Sequence, residues 1–258
     1  MRATQHDYNS EDIQMIKLLT LMVMMWCSTA YATKMPTPSL DINMNTEPIS
    51  SVMTATEQKV RGAAVKVISG DGHGSGSLVK YKGLTLLITA NHVANGTLGS
   101  THYAMKGSET KAAILIYTDS LHDISVLYMI DDFYAVKPLK YSPREEMIEA
   151  GAEITYSGFP SSHQLMTFRG RVAGYEIRQD AGIQILLHTH GWMGCSGSIV
   201  YDQNGDIVGI LWGVSVEHRP SLQIIGNLVW IQPIQVFNID HSLEALCRSG
   251  EIRARACR

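Results

Sequence analysis

Three short segments carry residue types that together can break an acyl bond. Gly194-Cys-Ser-Gly-Ser198 sets a serine, Ser196, in a glycine-rich turn between two apolar runs. Leu87-Ile-Thr-Ala-Asn-His92-Val places a histidine at the end of an apolar run, where the chain passes from core to surface. Leu121-His-Asp123-Ile-Ser-Val-Leu127 places a carboxylate at the start of another. A serine hydroxyl is a weak nucleophile until a base takes its proton, and an imidazole base needs a neighbour to fix its tautomer. Ser196 is therefore the candidate nucleophile, His92 the general base and Asp123 the orienting acid. Asp119 is the rival acid, but it lies in a Thr-Asp-Ser turn, whereas an apolar run follows Asp123 directly. Cys195 is the rival nucleophile, but the residue with Gly-x before it and Gly after it is Ser196.

Other chemistries find less support. His73, His122, His163, His218 and His241 are scattered without the i,i+4 or paired-cysteine spacing of a zinc site, so no metal is expected. Gly72-His-Gly-Ser-Gly lacks the helix and lysine of a phosphate loop, and no cofactor is expected. A net charge of −3 leaves no basic excess, and the scattered Lys and Arg form no stripe; nucleic acid is not an expected partner.

The elements that must position these residues read as strands. From about residue 60 the chain becomes short runs of Val, Ile, Leu, Thr and Tyr punctuated by Gly, Asn, Asp and Ser. Strands are predicted over 63–68, 75–80, 84–89, 101–104, 112–117 and 124–130. After a Pro- and Glu-containing connector at 138–148, they are predicted over 153–157, 164–175, 183–189, 198–201, 207–214 and 227–232. Helical spacing appears only in the tail, at Ile234, Phe237, Ile239, Leu243 and Leu246. The fold class is all-β with a C-terminal helix, and the pattern alone does not choose between sandwich and barrels.

Ahead of the strands, Met15 to Trp26 followed by Cys27-Ser-Thr-Ala-Tyr-Ala32 has the short cationic start, apolar stretch and small-residue site of a signal peptide. Residues 1–32 are thus expected to direct export, with Met15 as a possible start. An uncleaved segment would instead anchor the chain to a membrane. With cleavage, a secreted or periplasmic protein without stable membrane association is expected. Residues 33–57 are polar and turn-rich and are expected to be a flexible lead-in. Cys247 and Cys257, in the tail of an exported chain, are a candidate disulfide, with two free thiols as the alternative.

Taken in order, the His, Asp and Ser motifs resemble the trypsin-like peptidase superfamily, above all its HtrA-like and other bacterial and viral branches. The spacings of 31 residues (92 to 123) and 73 residues (123 to 196) suit its two-barrel architecture. The resemblance covers roughly residues 60–236 and includes Gly74-Ser-Gly-Ser-Leu-Val79 and Gly209-Ile-Leu-Trp-Gly213. It implies two six-stranded antiparallel β-barrels of chymotrypsin-like fold, over 58–137 and 149–233, with residues 234–258 as helix and tail. It implies a serine endopeptidase acting on polypeptides, with the N–H groups of Gly194 and Ser196 as oxyanion hole. Leu211, Trp212 and Gly213 would pair with the substrate backbone, and His190 would line the primary pocket. Cys195 departs from the digestive-type pattern, which has an aspartate there to pair with a freed N-terminus; activation by that ion pair is not expected. The peptide-binding module of the larger relatives is not expected in the tail that follows Pro233. The alternatives are an inactive peptide-binding relative and a membrane-tethered polyprotein-processing enzyme.

Overall fold

A helix precedes the first strand and pins the N-terminal side of the molecule. In the computed structural model, which describes residues 52–248 apart from 71, 135, 219 and 220, helix α1 spans Ala55–Ala63. Its start is a capping box: Glu57 N–H donates to Thr54 Oγ1 (3.2 Å), and Thr54 N–H donates to Glu57 Oε2 (2.7 Å). At its other end Lys106 Nζ donates to the carbonyls of Arg61 (2.7 Å), Gly62 (3.2 Å) and Ala64. A cation on these terminal carbonyls suits the negative end of the helix, and burial pulls the Lys106 ammonium down to about 8. This helix corrects the sequence reading, which left residues up to 57 without order and began a strand at Ala63. The Thr-x-x-Glu signal was present at 54–57 but short of an apolar face long enough to mark a helix.

The first barrel comprises β1 (Ala64–Ser69), β2 (Gly72–Tyr81), β3 (Leu84–Thr89), β4 (Thr101–Lys106), β5 (Glu109–Asp119) and β6 (Ile124–Met129). They close antiparallel in the order β1-β2-β3-β6-β5-β4, with β4 returning to β1. The long β2 makes closure possible, pairing with β1 through its first half and β3 through its second. Gly76 sits at the crossover because a Cβ there would lie 2.6 Å from Leu87 Cδ1 and 2.9 Å from the Ile88 carbonyl. The connector contributes β7 (Leu139–Lys140), which pairs parallel with β2.

The second barrel is built from β8 (Glu153–Gly158), β9 (Met166–Arg178), β10 (Gly182–His188), β11 (Ile199–Asp202), β12 (Ile207–His218) and β13 (Leu222–Pro233), closed in the order β10-β13-β12-β11-β8-β9. The expected two six-stranded antiparallel barrels are the observed architecture. The β12–β13 hairpin extends further than predicted, pairing out to His218↔Leu222. Its outer residues are mostly exposed or half-buried, so no apolar alternation marks them in the sequence. After a 3₁₀ turn at Ile234–Val236, helix α2 runs over Ile239–Arg248.

Each barrel has its own core, around Leu87, Leu115 and Leu127 in the first and Ile185, Leu187 and Ile231 in the second. A third cluster is shared. It joins Val79, Leu86 and Ile88 of the first barrel to Ile199, Tyr201 and Ile210 of the second and to Leu243 and Leu246 of α2. Among the described residues no helix is long and apolar enough to cross a membrane. The proposed signal segment, most of the lead-in and Cys257 lie outside the described residues. Cys247 is disulfide-bonded.

Candidate active site

His92 and Asp123 meet where two strands end. β3 delivers His92 in the turn after Thr89, and the turn between β5 and β6 delivers Asp123. Asp123 Oδ2 lies 2.6 Å from His92 Nδ1, and its Oδ1 accepts the His92 backbone N–H at 2.8 Å. One carboxylate thus fixes both the ring and the backbone of the histidine, and with Nδ1 bonded to an acceptor the free ring nitrogen is Nε2. The pairing requires Asp123 to adopt φ +56°, a left-handed conformation that Asp tolerates better than most residues. The Asp123 carbonyl accepts the Asn91 N–H at 3.0 Å. Asn91 Oδ1 in turn accepts from Ser125 Oγ (3.1 Å) and Thr118 Oγ1, tying the His92 turn to both strands that flank Asp123. The rival Asp119 is committed elsewhere: it binds His122 Nδ1 at 2.7 Å and the backbone N–H groups of Leu121 and His122.

The Ser196 turn packs against this corner. Gly197 (φ +89°) has no space for a side chain, since a Cβ there would stand 2.1 Å from the Ser75 carbonyl and 2.8 Å from the Ala90 nitrogen. The turn therefore lies directly on the backbone that leads to His92. Among the described residues no hydrogen bond joins Ser196 Oγ to His92.

Along this turn each C=O points opposite to the N–H that follows it, because both belong to one trans peptide. The Met193 carbonyl accepts Ser161 N–H (2.6 Å), and the Gly194 carbonyl accepts Ser75 Oγ–H (2.7 Å). The Cys195 carbonyl accepts Ser198 N–H (3.1 Å), and the Ser196 carbonyl accepts Ser75 N–H (2.8 Å). Of the opposing N–H groups, Cys195 donates to the Trp192 carbonyl (3.0 Å) and Gly197 to the Leu211 carbonyl (2.7 Å). The N–H groups of Gly194 and Ser196 have no acceptor among the described residues. Gly194 supplies φ +92°, and a Cβ on it would meet the Phe159 carbonyl at 2.4 Å. Its neighbour Cys195 is fully buried, and burial pushes its thiol up, away from the thiolate that a nucleophile requires.

The remaining sequence candidates fall into different places. Trp212 faces a cavity of about 350 Å³ that is also lined by His92, Asp123, His122 and Arg178. Its Nε1–H donates to Gln184 Oε1 (2.8 Å), and the Arg178 guanidinium lies 4.6 Å from its ring. Gly213 has open space where a side chain would be, which leaves its backbone approachable. Leu211 differs from expectation. Its N–H donates to the Ser198 carbonyl (2.9 Å) and its C=O accepts from Gly197, so both groups are spent inside the barrel. It is also buried, so its backbone does not face the cavity as that of a substrate-pairing residue would. His190 is exposed, its ring 5.6 Å from Phe168 and its carbonyl accepting the Tyr156 hydroxyl. A larger cleft of about 590 Å³, between the start of α1 and β8–β9, contains none of these residues. Among the described residues no three His, Cys, Asp or Glu side chains gather as a metal ion would require.

Asn91, Ser75 and Ser161 were not singled out by the sequence. Asn91 carries a weak signal, its place beside the candidate base. Ser75 lies in the glycine-rich run from Gly74 to Val79, with a partner 119 residues away.

No curated protein sequence matches the chain. Among solved structures, the Rv3671c protease of M. tuberculosis in an inactive serine-to-alanine form aligns with a TM-score of 0.59 at 15% identity, over 79% of this chain and 95% of that one. The active form of the same protease aligns with a TM-score of 0.55 at 15% identity, over 78% and 85%. An HtrA-type protease, AlgW with a tripeptide, gives a TM-score of 0.59 at 18% identity, over 70% of this chain and 59% of that one. At such identities the likeness is one of fold. The sequence profile of the trypsin-like peptidase domain matches residues 74–210, just over half of the chain, and on that ground the chain belongs to the trypsin-like peptidase family.

Proposed function

We propose that the chain is a serine endopeptidase that cleaves polypeptides through an acyl-enzyme. Ser196 Oγ attacks the scissile carbonyl carbon while His92 Nε2 takes its proton, and Asp123 stabilises the imidazolium that forms. The N–H groups of Gly194 and Ser196 bind the oxyanion of the tetrahedral intermediate. As the C–N bond breaks, His92 returns the proton to the leaving amine. Water, activated by the same imidazole, then hydrolyses the Ser196 ester. Trp212 and Gly213 hold the substrate backbone beside the cavity next to His92, and His190 stands at the entrance to the primary pocket.

The observation that carries this reading is the stretch from Gly194 to Gly197, in which the N–H groups of Gly194 and Ser196 have no acceptor among the described residues while the four carbonyls from Met193 to Ser196 are bonded. Donors held in place before the reaction stabilise developing charge without a reorganisation cost, and losing one such donor typically costs about 10²–10³ in rate. The His92–Asp123 pair supports it. The missing Ser196–His92 bond is compatible with it, since catalytic hydrogen bonds are often loose before substrate arrives. By the same reading the enzyme is exported under residues 1–32, and intact mass of the exported form separates cleavage from a retained anchor.

The test is labelling by a fluorophosphonate probe of the wild type, Ser196→Ala and Cys195→Ala. Labelling lost only in Ser196→Ala is expected. A folded wild type that takes no label would instead point to a binding module that kept the barrels without the reaction.

A further inference from the structure

Two peptide units decide where the Gly194 N–H points, and both are held from outside the turn. The Gly194 carbonyl accepts Ser75 Oγ–H at 2.7 Å. The Met193 carbonyl, in the peptide that carries the Gly194 N–H, accepts Ser161 N–H at 2.6 Å. Ser161 belongs to a short strap after β8 and adopts φ +49°, unusual for a residue with a side chain. The strap is itself fastened to β2: Phe159 N–H donates to Ser75 Oγ (2.9 Å), and His73 Nε2–H donates to the Phe159 carbonyl (2.9 Å). Ser75 is fully buried, and its hydroxyl spends its one proton on the turn and a lone pair on the strap.

From this we infer that Ser75 is a positioning residue of the oxyanion hole, a role that rests on the serine peptidase reading above. It belongs to the first barrel, the turn to the second. Through one oxygen it holds the Gly194 carbonyl directly and, by way of Phe159, the strap that holds the Met193 carbonyl. If the Met193–Gly194 peptide rotated, its C=O would replace the N–H at the anion site, and a donor would become an acceptor where negative charge develops. With Ser75 in place that rotation breaks the Ser161 bond within a fastened strap. Without it, both restraints weaken together, and the half-buried Gly194 carbonyl and the buried Phe159 N–H lose their partner. Ground-state binding of a peptide, which the cleft around Trp212 and Gly213 provides, does not depend on this peptide plane.

Ser75→Ala is therefore expected to lower kcat roughly tenfold to a hundredfold while KM stays within about twofold. Affinity for a peptide aldehyde, which adds to Ser196 and places an oxyanion in the hole, should fall by the same factor, whereas the matching peptide alcohol should bind as before. A second arm does not need turnover: amide hydrogen exchange is compared in Ser196→Ala with and without Ser75→Ala. Exchange at Cys195, whose N–H closes the turn, should accelerate about tenfold or more, with the Ile199 and Ile210 amides of the neighbouring ladder unchanged. Wild-type kcat and aldehyde affinity in Ser75→Ala would overturn the proposal, as would unchanged exchange at Cys195 or equal acceleration throughout the barrel. A wild type without turnover or probe labelling would sink the peptidase reading instead, and with it Ser75's part in the reaction, while the exchange arm still decides whether Ser75 holds the turn.

Discussion

At Gly197 the candidate site tolerates no alteration. The residue combines φ +89° with a Cβ position 2.1 Å from the Ser75 carbonyl and 2.2 Å from Thr89 Oγ1. An alanine there must both adopt a strained backbone and push the serine turn away from the strand end that carries His92. Gly197→Ala is expected to destabilise the protein by more than about 2 kcal/mol and to abolish fluorophosphonate labelling. Chemical denaturation together with labelling checks this; a stable, fully labelled variant would show that the turn does not rest on the first barrel as described. Asp123 has a comparable constraint, since its left-handed backbone lets one carboxylate meet both the ring and the backbone N–H of His92. Strain of this kind persists where surrounding contacts over-determine it, and the Asn91 network supplies those contacts.

Among the elements, α1 is fastened to the second barrel by charge. The Glu57 carboxylate, almost fully buried, is gripped by the exposed Arg169 guanidinium, with Nη2 to Oε2 at 2.5 Å, and also accepts the Thr54 N–H. Hydrogen bonds from Arg169 hold the Glu57 carboxyl below its ordinary value, against the upward pull of burial. A carboxyl depressed in the folded state contributes stability that is complete above its unfolded value and is lost as pH falls through its folded one. Glu57→Gln is thus expected to be about 1–2 kcal/mol less stable than wild type at pH 7. The difference should shrink as pH drops below about 4. Urea denaturation at both pH values measures it; a gap that does not change with pH would mean that packing, not charge, holds the helix.

On the scale of the whole molecule, the shared cluster decides whether the barrels behave as one body. Leu243 of α2 is buried in it with Ile88 of the first barrel and Tyr201 of the second. Leu243→Ala should cost about 2–4 kcal/mol through the cavity it leaves, lowering Tm by roughly 5–12 °C for a unit of this size. Trp192, Trp212 and Trp230 all belong to the second barrel or its loops, so their fluorescence reports on that half, while far-ultraviolet circular dichroism reports on both. Coincident transitions by the two probes are expected in wild type and variant alike. Separate transitions would show that the cluster does not bind the barrels into one cooperative unit.

The sequence by itself determined what is local. Runs of β-forming residues punctuated by turns mark the strands that line a core, because burial on one face imposes an apolar pattern, and His92, Asp123 and Ser196 stand out because each sits where such a run meets a turn. Where burial relaxes, the pattern fades: the outer β12–β13 hairpin and the short α1 were not legible for that reason. Only the tertiary structure decided what depends on distant partners. It set one carboxylate of Asp123 on both the ring and the backbone N–H of His92, spent the backbone of Leu211 inside the barrel, and joined Ser75 to Gly194 across 119 residues. A hydrogen bond between residues so far apart leaves no periodicity in the chain. It exists only once two closed barrels have fixed the distance between them.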